Sequence, residues 1–209
     1  MATPRNTVTP QPWISANLLT ALRMPLAPLA VVLLCTRTTW GIVAAAILAL
    51  LLELTDILDG QIARNYRQVT DFGKLFDPFS DAFCRFTLFL GLYEIGVADL
   101  WMIILIFYRD SSISFFRTVA AVRNVVLSAR TSGKVKAVVQ GVGTQIVFVL
   151  LVLYQVAPEL PIPAGLPWWT MAAMTVVTVW SFGDYFVANL PILRAAWADT
   201  PNGPTEPKG

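Results

Sequence analysis

Apolar residues fall along this chain in six long runs, at roughly 18–36, 39–64, 77–97, 100–122, 134–156 and 167–191, divided by short polar or Pro-containing breaks. Each run is near the ~20 residues that a helix needs to cross a bilayer. The pattern therefore predicts an all-α membrane protein with six transmembrane helices. The breaks are Thr36-Arg37-Thr38-Thr39, Val97-Ala98-Asp99 and the Pro-rich stretch from Ala157 to Pro163. Trp40, Trp101, Trp168 and Trp169 stand beside them, as the side chains of an interfacial aromatic belt do. Residues 1–17 read as an N-terminal cytosolic or interfacial segment, with a short interfacial helix over 10–17. Residues 18–191 read as one transmembrane domain without internal repeat. Residues 192–209, rich in Pro, Gly and polar side chains, read as a flexible cytosolic tail.

Composition agrees with membrane residence. Of 209 residues, 56% are hydrophobic and 13% charged, against about 25% charged in a soluble domain; mean hydropathy is +0.64. A net charge of +2 gives no reason to expect a nucleic-acid partner. The placement of positive charge says more. With the N-terminus inside, the outer loops hold only Arg37, while Arg5, Arg64, Arg67, Lys74, Arg123, Arg130, Lys134, Lys136, Arg194 and Lys208 lie inside. That asymmetry sets both termini in the cytosol. Histidine is absent, which removes the commonest general base and every Ser-His or Cys-His scheme. Cys35 and Cys84 lie in apolar stretches without CxxC spacing and read as reduced, packed thiols.

The polar residues inside the apolar runs carry the chemistry. Asp56 and Asp59 are spaced i,i+3 on one helical face, continued by the small residues Gly60 and Ala63. Gly73, Asp77 and Asp81 repeat the arrangement at i, i+4 and i+8 in the next segment, after a polar turn over 64–72. Two antiparallel helices so joined would gather four carboxylates near the inner membrane surface. Acidic groups at that depth are costly and are kept where they function. Like charges so close repel, and hard divalent cations such as Mg²⁺ or Mn²⁺ relieve that cost with oxygen ligands. A pair of such ions suits phosphoryl chemistry. Ion pairs with Arg64, Arg67, Lys74 and Arg85 are the plainer structural alternative.

Asp56-x-x-Asp59-Gly60-x-x-Ala63-Arg64, followed by Gly73-x-x-x-Asp77-x-x-x-Asp81, resembles the complete signature of the CDP-alcohol phosphotransferases. The resemblance covers about residues 15–155. It implies an integral membrane enzyme, commonly a homodimer, that displaces CMP from a CDP-linked substrate with an alcohol. It also implies that Asp56, Asp59, Asp77 and Asp81 bind two divalent metal ions, and that Asp81 takes the proton of the acceptor hydroxyl. Asn17, Thr20, Gly60, Arg64, Thr70 and Gly73 would then contact CDP-diacylglycerol. Asn17 and Thr20 serve equally well as helix-capping residues.

A second polar group bears on the acceptor. Arg109 lies midway along the fourth apolar run, with Arg117 two turns on, and Lys134 and Lys136 open the fifth. Buried cations beside a metal site point to an acceptor that carries its own phosphate. The region is similar to phosphatidylglycerophosphate synthases, which use sn-glycerol 3-phosphate, with Asp110 and Ala137 departing from the Glu and Thr of their pattern and Ala82 standing where a Lys is common. Inositol phosphate is the alternative acceptor. A transporter would instead place acidic groups near mid-membrane and show symmetry between halves, neither of which the sequence displays. The expected location is a prokaryotic cell membrane, with the active site toward the cytosol.

Overall fold

The computed structural model describes residues 16–65, 71–122 and 130–198. They form six helices and, among the described residues, no strand: α1 Ala16–Cys35, α2 Thr39–Asn65, α3 Asp71–Glu94, α4 Leu100–Val122, α5 Thr131–Val156 and α6 Leu166–Ala198. α1 packs on α2 and α3, α5 on α2 and α6, and α4 on α6 and α3. The faces that meet are built from small residues: Ala27, Ala30, Ala45 and Ala49 are buried, and a Cβ at Gly91 would come within 2.8 Å of Val31 on α1. In a lipid environment such close backbone approach is the main source of helix association.

The turns are shaped by local chemistry. Thr38 Oγ1 accepts a hydrogen bond from the Gly41 amide at 3.1 Å and starts α2 as an N-cap does. Gly96, at φ 83°, ends α3, where the Val97 amide returns to the Leu92 carbonyl at 2.8 Å; a left-handed glycine is the usual closure of a helix. Cross-links then collect the α1–α2, α3–α4 and α5–α6 turns at one end of the bundle. Arg37 donates to the Glu94 carbonyl at 3.0 Å, Thr39 to Gln155 at 3.4 Å, and Trp168 to Asp99 at 3.0 Å. Trp40, Trp101 and Trp169 are exposed there. The Asp-rich ends of α2 and α3 point to the other end.

Several expectations are corrected. Among the described residues, three helices are long and apolar enough to cross a bilayer, over Thr39–Asp56, Thr131–Val156 and Leu166–Ile192, with Thr20–Cys35 a shorter apolar helix. α3 and α4 are also long helices but are interrupted by charge, at Lys74, Asp77, Asp81 and Arg85 in α3 and at Arg109, Asp110 and Arg117 in α4, so the six-span expectation goes beyond the helices identified this way. Helical structure also takes up both ends of the 64–72 turn, since α2 continues to Asn65 and α3 begins at Asp71. α6 passes through Pro191 to Ala198, beyond the end expected at 191. A proline there removes one backbone donor, and the carbonyl it leaves belongs to the exposed Val187, where the loss is small. Both cysteines are free, but only Cys84 is packed; Cys35 is exposed at the last position of α1. The interfacial helix expected over 10–17 falls mainly outside the described residues, with α1 starting at Ala16.

Candidate active site

The distal ends of α2 and α3 meet α1 and α5 around a small cleft lined by Arg23, Glu53, Asp56, Asp81, Arg85 and Thr144 over a floor of Ala49, Leu52, Cys84 and Leu88. Asp56 and Asp81 thus face one space from two helices. Each is balanced by an arginine. Arg23, buried on α1, donates to Asp56 Oδ1, and Arg85 donates to Asp81 Oδ1 at 2.8 Å, one turn on in α3. Arg85 also lies 3.9 Å from Glu53. Cys84 and Ser80 fix α3 to α1 through its backbone, donating to the carbonyls of Arg23 at 3.5 Å and Thr20 at 3.2 Å. Thr20 is itself buried. Glu53 fits because Gly141 on α5 leaves it room: a Cβ there would lie 2.3 Å from Glu53 Oε1.

Asp59 and Asp77 lie in the same helices, one turn after Asp56 and one turn before Asp81, so the register expected from the sequence is kept. The side-chain surroundings of Asp59, Gly60, Ala63, Arg64, Gly73, Asp77 and Asn17 fall outside the described residues, as does Thr70 altogether. Among the described residues no three His, Cys, Asp or Glu side chains form a metal-binding group. The donor chemistry of the cleft nevertheless suits a hard cation. Asp56 and Asp81 are 38% and 41% exposed, and each has only Oδ1 engaged among the described residues. An all-oxygen set of this kind is what Mg²⁺ and Mn²⁺ prefer.

A second polar group lies deeper, between α4, α5 and α6. Asp110 accepts from Arg109 at 2.8 Å and from Lys136 at 2.7 Å. Arg109 also donates to Ser181 of α6 at 2.8 Å, while its buried Nε has no partner among the described residues. All three charged side chains are largely buried. Of the cations singled out in the sequence, the fold therefore unites Arg109 and Lys136. Arg117 stands apart over the Tyr185 ring, 5.9 Å from its centre, and Lys134 is exposed on α5. α5 joins the two polar groups, carrying Lys136 of one and, two turns on, Thr144 of the other.

Some residues of this arrangement were not marked by the sequence. Arg23 and Glu53 sit in apolar helices with no motif around them, and Ser181 reaches Arg109 across 72 positions. A lone ionisable residue within an apolar run was the available signal for the first two. Asp184 carried that signal, and its partners are Arg130 and Ser132.

Comparison with known proteins follows this geometry. The sequence model of the CDP-alcohol phosphatidyltransferases matches residues 13–180, further into α6 than the stretch that carries the resemblance in the sequence. The chain is 29% identical over 194 residues to a CDP-diacylglycerol–glycerol-3-phosphate 3-phosphatidyltransferase of Bacillus subtilis (strain 168), covering 86% of this chain and 97% of that one. It is 32% identical over 161 residues to the protein of that name in Treponema pallidum (strain Nichols), covering 73% and 72%. A probable phosphatidylglycerophosphate synthase of Mycobacterium tuberculosis (strain ATCC 25618 / H37Rv) is 33% identical over 136 residues, covering 61% and 62%.

Proposed function

The chain belongs to the CDP-alcohol phosphatidyltransferase family, and from that membership we propose that it transfers a phosphatidyl group from CDP-diacylglycerol to sn-glycerol 3-phosphate, giving phosphatidylglycerophosphate and CMP. The observation that carries this reading is the joining of two groups of opposite task. Asp56 and Asp81 share one cleft, and Arg109 and Lys136 converge on Asp110 beside it. The relatives named for the glycerol-3-phosphate reaction support the choice of acceptor.

The chain's own residues then have distinct work. Arg109 and Lys136 bind the phosphate of the acceptor, and Arg109 Nε, buried and without a partner among the described residues, supplies a donor that is already desolvated. A buried donor of this kind gives up little hydration when an anion arrives. Asp81 takes the proton of the attacking hydroxyl. The oxygen forms a bond to the β-phosphorus of CDP-diacylglycerol, and the bridging P–O bond breaks with its electron pair leaving on CMP. Arg85 holds the Asp81 carboxylate in place at 2.8 Å. Asp56, Asp59, Asp77 and Asp81 are the residues that would hold two divalent cations, which when bound neutralise the pyrophosphate and the departing oxygen. The positive-inside asymmetry assigns this end of the bundle to the cytosol.

Purified protein, CDP-diacylglycerol and a panel of glycerol 3-phosphate, inositol 1-phosphate, serine and inositol decide the matter, with CMP release as the readout. Release with glycerol 3-phosphate is the expected result. Release with inositol 1-phosphate or an unphosphorylated alcohol but not with glycerol 3-phosphate would overturn the acceptor assignment.

A further inference from the structure

The face of α6 around Ser181, where the family match ends at residue 180, makes successive contacts with residues of α4 and of the start of α5. Ser181 Oγ accepts from Arg109 Nη2 at 2.8 Å. One turn on, Asp184 accepts from Arg130 at 2.7 and 3.1 Å and from Ser132 at 2.5 Å, which fastens the first turn of α5, the turn that carries Lys134 and leads to Lys136. Tyr185 then offers its ring to Arg117. One turn before Ser181, Thr178 accepts from Gln140 at 2.9 Å, a full turn beyond Lys136 on α5. At ~100° per residue these four positions lie within about 120° of one another around α6. Among the described residues, none of α6 lines the Asp56–Asp81 cleft.

From these contacts we propose that this face of α6 is the positioning element of the acceptor site, with Ser181 and Asp184 setting where the cations stand and so which phosphorylated alcohol they accept. The proposal rests on the phosphatidyl-transfer reading above. Ser181 is a positioning residue because it acts through Arg109. Arg109 sits beside its own counter-charge Asp110, and a guanidinium whose second arm is untethered can turn about that pair. Removing the Ser181 hydroxyl also leaves a buried donor without an acceptor. Asp184 acts at longer reach: its bidentate grip on Arg130 sets the approach of α5, whose Gly133 lies against Arg109, the position of a Cβ there being 3.8 Å from Nη2. Neither residue contacts the donor cleft, so their loss should reach acceptor and donor unequally.

The test is steady-state kinetics on the full chain in detergent with CDP-diacylglycerol, comparing glycerol 3-phosphate and inositol 1-phosphate for wild type, Ser181→Ala, Ser181→Thr and Asp184→Asn. Ser181→Ala should raise the KM for glycerol 3-phosphate about 10-fold, the loss of one hydrogen bond to a charged group, and leave the KM for CDP-diacylglycerol within about twofold. Ser181→Thr keeps the hydroxyl and should restore the acceptor KM. Asp184→Asn should raise the acceptor KM and narrow the preference between the two phosphorylated alcohols. Equal changes in both KM values, or unchanged acceptor KM in both Ser181→Ala and Asp184→Asn, would overturn the proposal while the reaction itself stood. A wild-type protein that releases no CMP with either phosphorylated alcohol would instead remove the reading on which it rests, and the proposal with it.

Discussion

Asp81 is the residue on which the chemistry turns. In Asp81→Asn the carboxamide cannot accept the hydroxyl proton, and kcat should fall at least ~100-fold, the usual worth of a positioned base. Arg85 keeps Glu53 as a second carboxylate at 3.9 Å, so the variant should elute and unfold as the wild type does. Near-normal turnover would refute the role. Arg109→Ala makes a separate prediction. It should raise the acceptor KM far more than the donor KM, whereas equal changes would argue against a phosphate pocket. These residues differ in how they could be read. Asp56 and Asp81 were legible because helical spacing alone puts each beside another aspartate. Arg109 was legible because a mid-run arginine has few reasons to exist. Arg23 and Ser181 were not, since their partners lie 33 and 72 positions away and only the packing of the bundle brings them together.

At the level of single helices, the apolar periodicity located every element, but α3 starts six residues before the expected 77 and α6 ends seven after the expected 191, and both differences have physical causes. α3 begins early because a polar first turn opening on an aspartate forms helix as readily as an apolar one. α6 continues through Pro191 because only one backbone bond is lost there. Glycine positions give a test of how tightly the elements meet. In Gly41→Ala the added methyl would stand 2.5 Å from the Leu33 carbonyl oxygen, whereas nothing lies within 4 Å of the corresponding point at Gly183. Gly41→Ala should therefore destabilise by about 1–3 kcal/mol as the α1–α2 turn opens. Gly183→Ala should be neutral or stabilising by up to ~1 kcal/mol through helix propensity. Thermal unfolding in detergent checks both, and a similar shift for the two variants would mean that the α1–α2 approach is looser than described.

Across the whole molecule, an aromatic, hydrogen-bonded set of turns closes one end and a charged interior opens toward the other. The sequence marked that polarity through its Trp and Arg placement, but not the contacts between helices that build its polar interior, Arg85 with Glu53 and Arg109 with Ser181. Orientation in the membrane can be read by labelling in a Cys35→Ser background. Arg37→Cys should react with an impermeant thiol reagent in intact cells, and Arg194→Cys, exposed on α6, only after permeabilisation; the reverse pattern would invert the topology. Nothing probes the account more directly than CMP release from CDP-diacylglycerol and glycerol 3-phosphate by protein stripped with a chelator and then given Mg²⁺ or Mn²⁺. Release should vanish on stripping and return with either ion in the wild type, but not in Asp81→Asn. Undiminished release from fully stripped protein would contradict the assignment of the aspartate cleft.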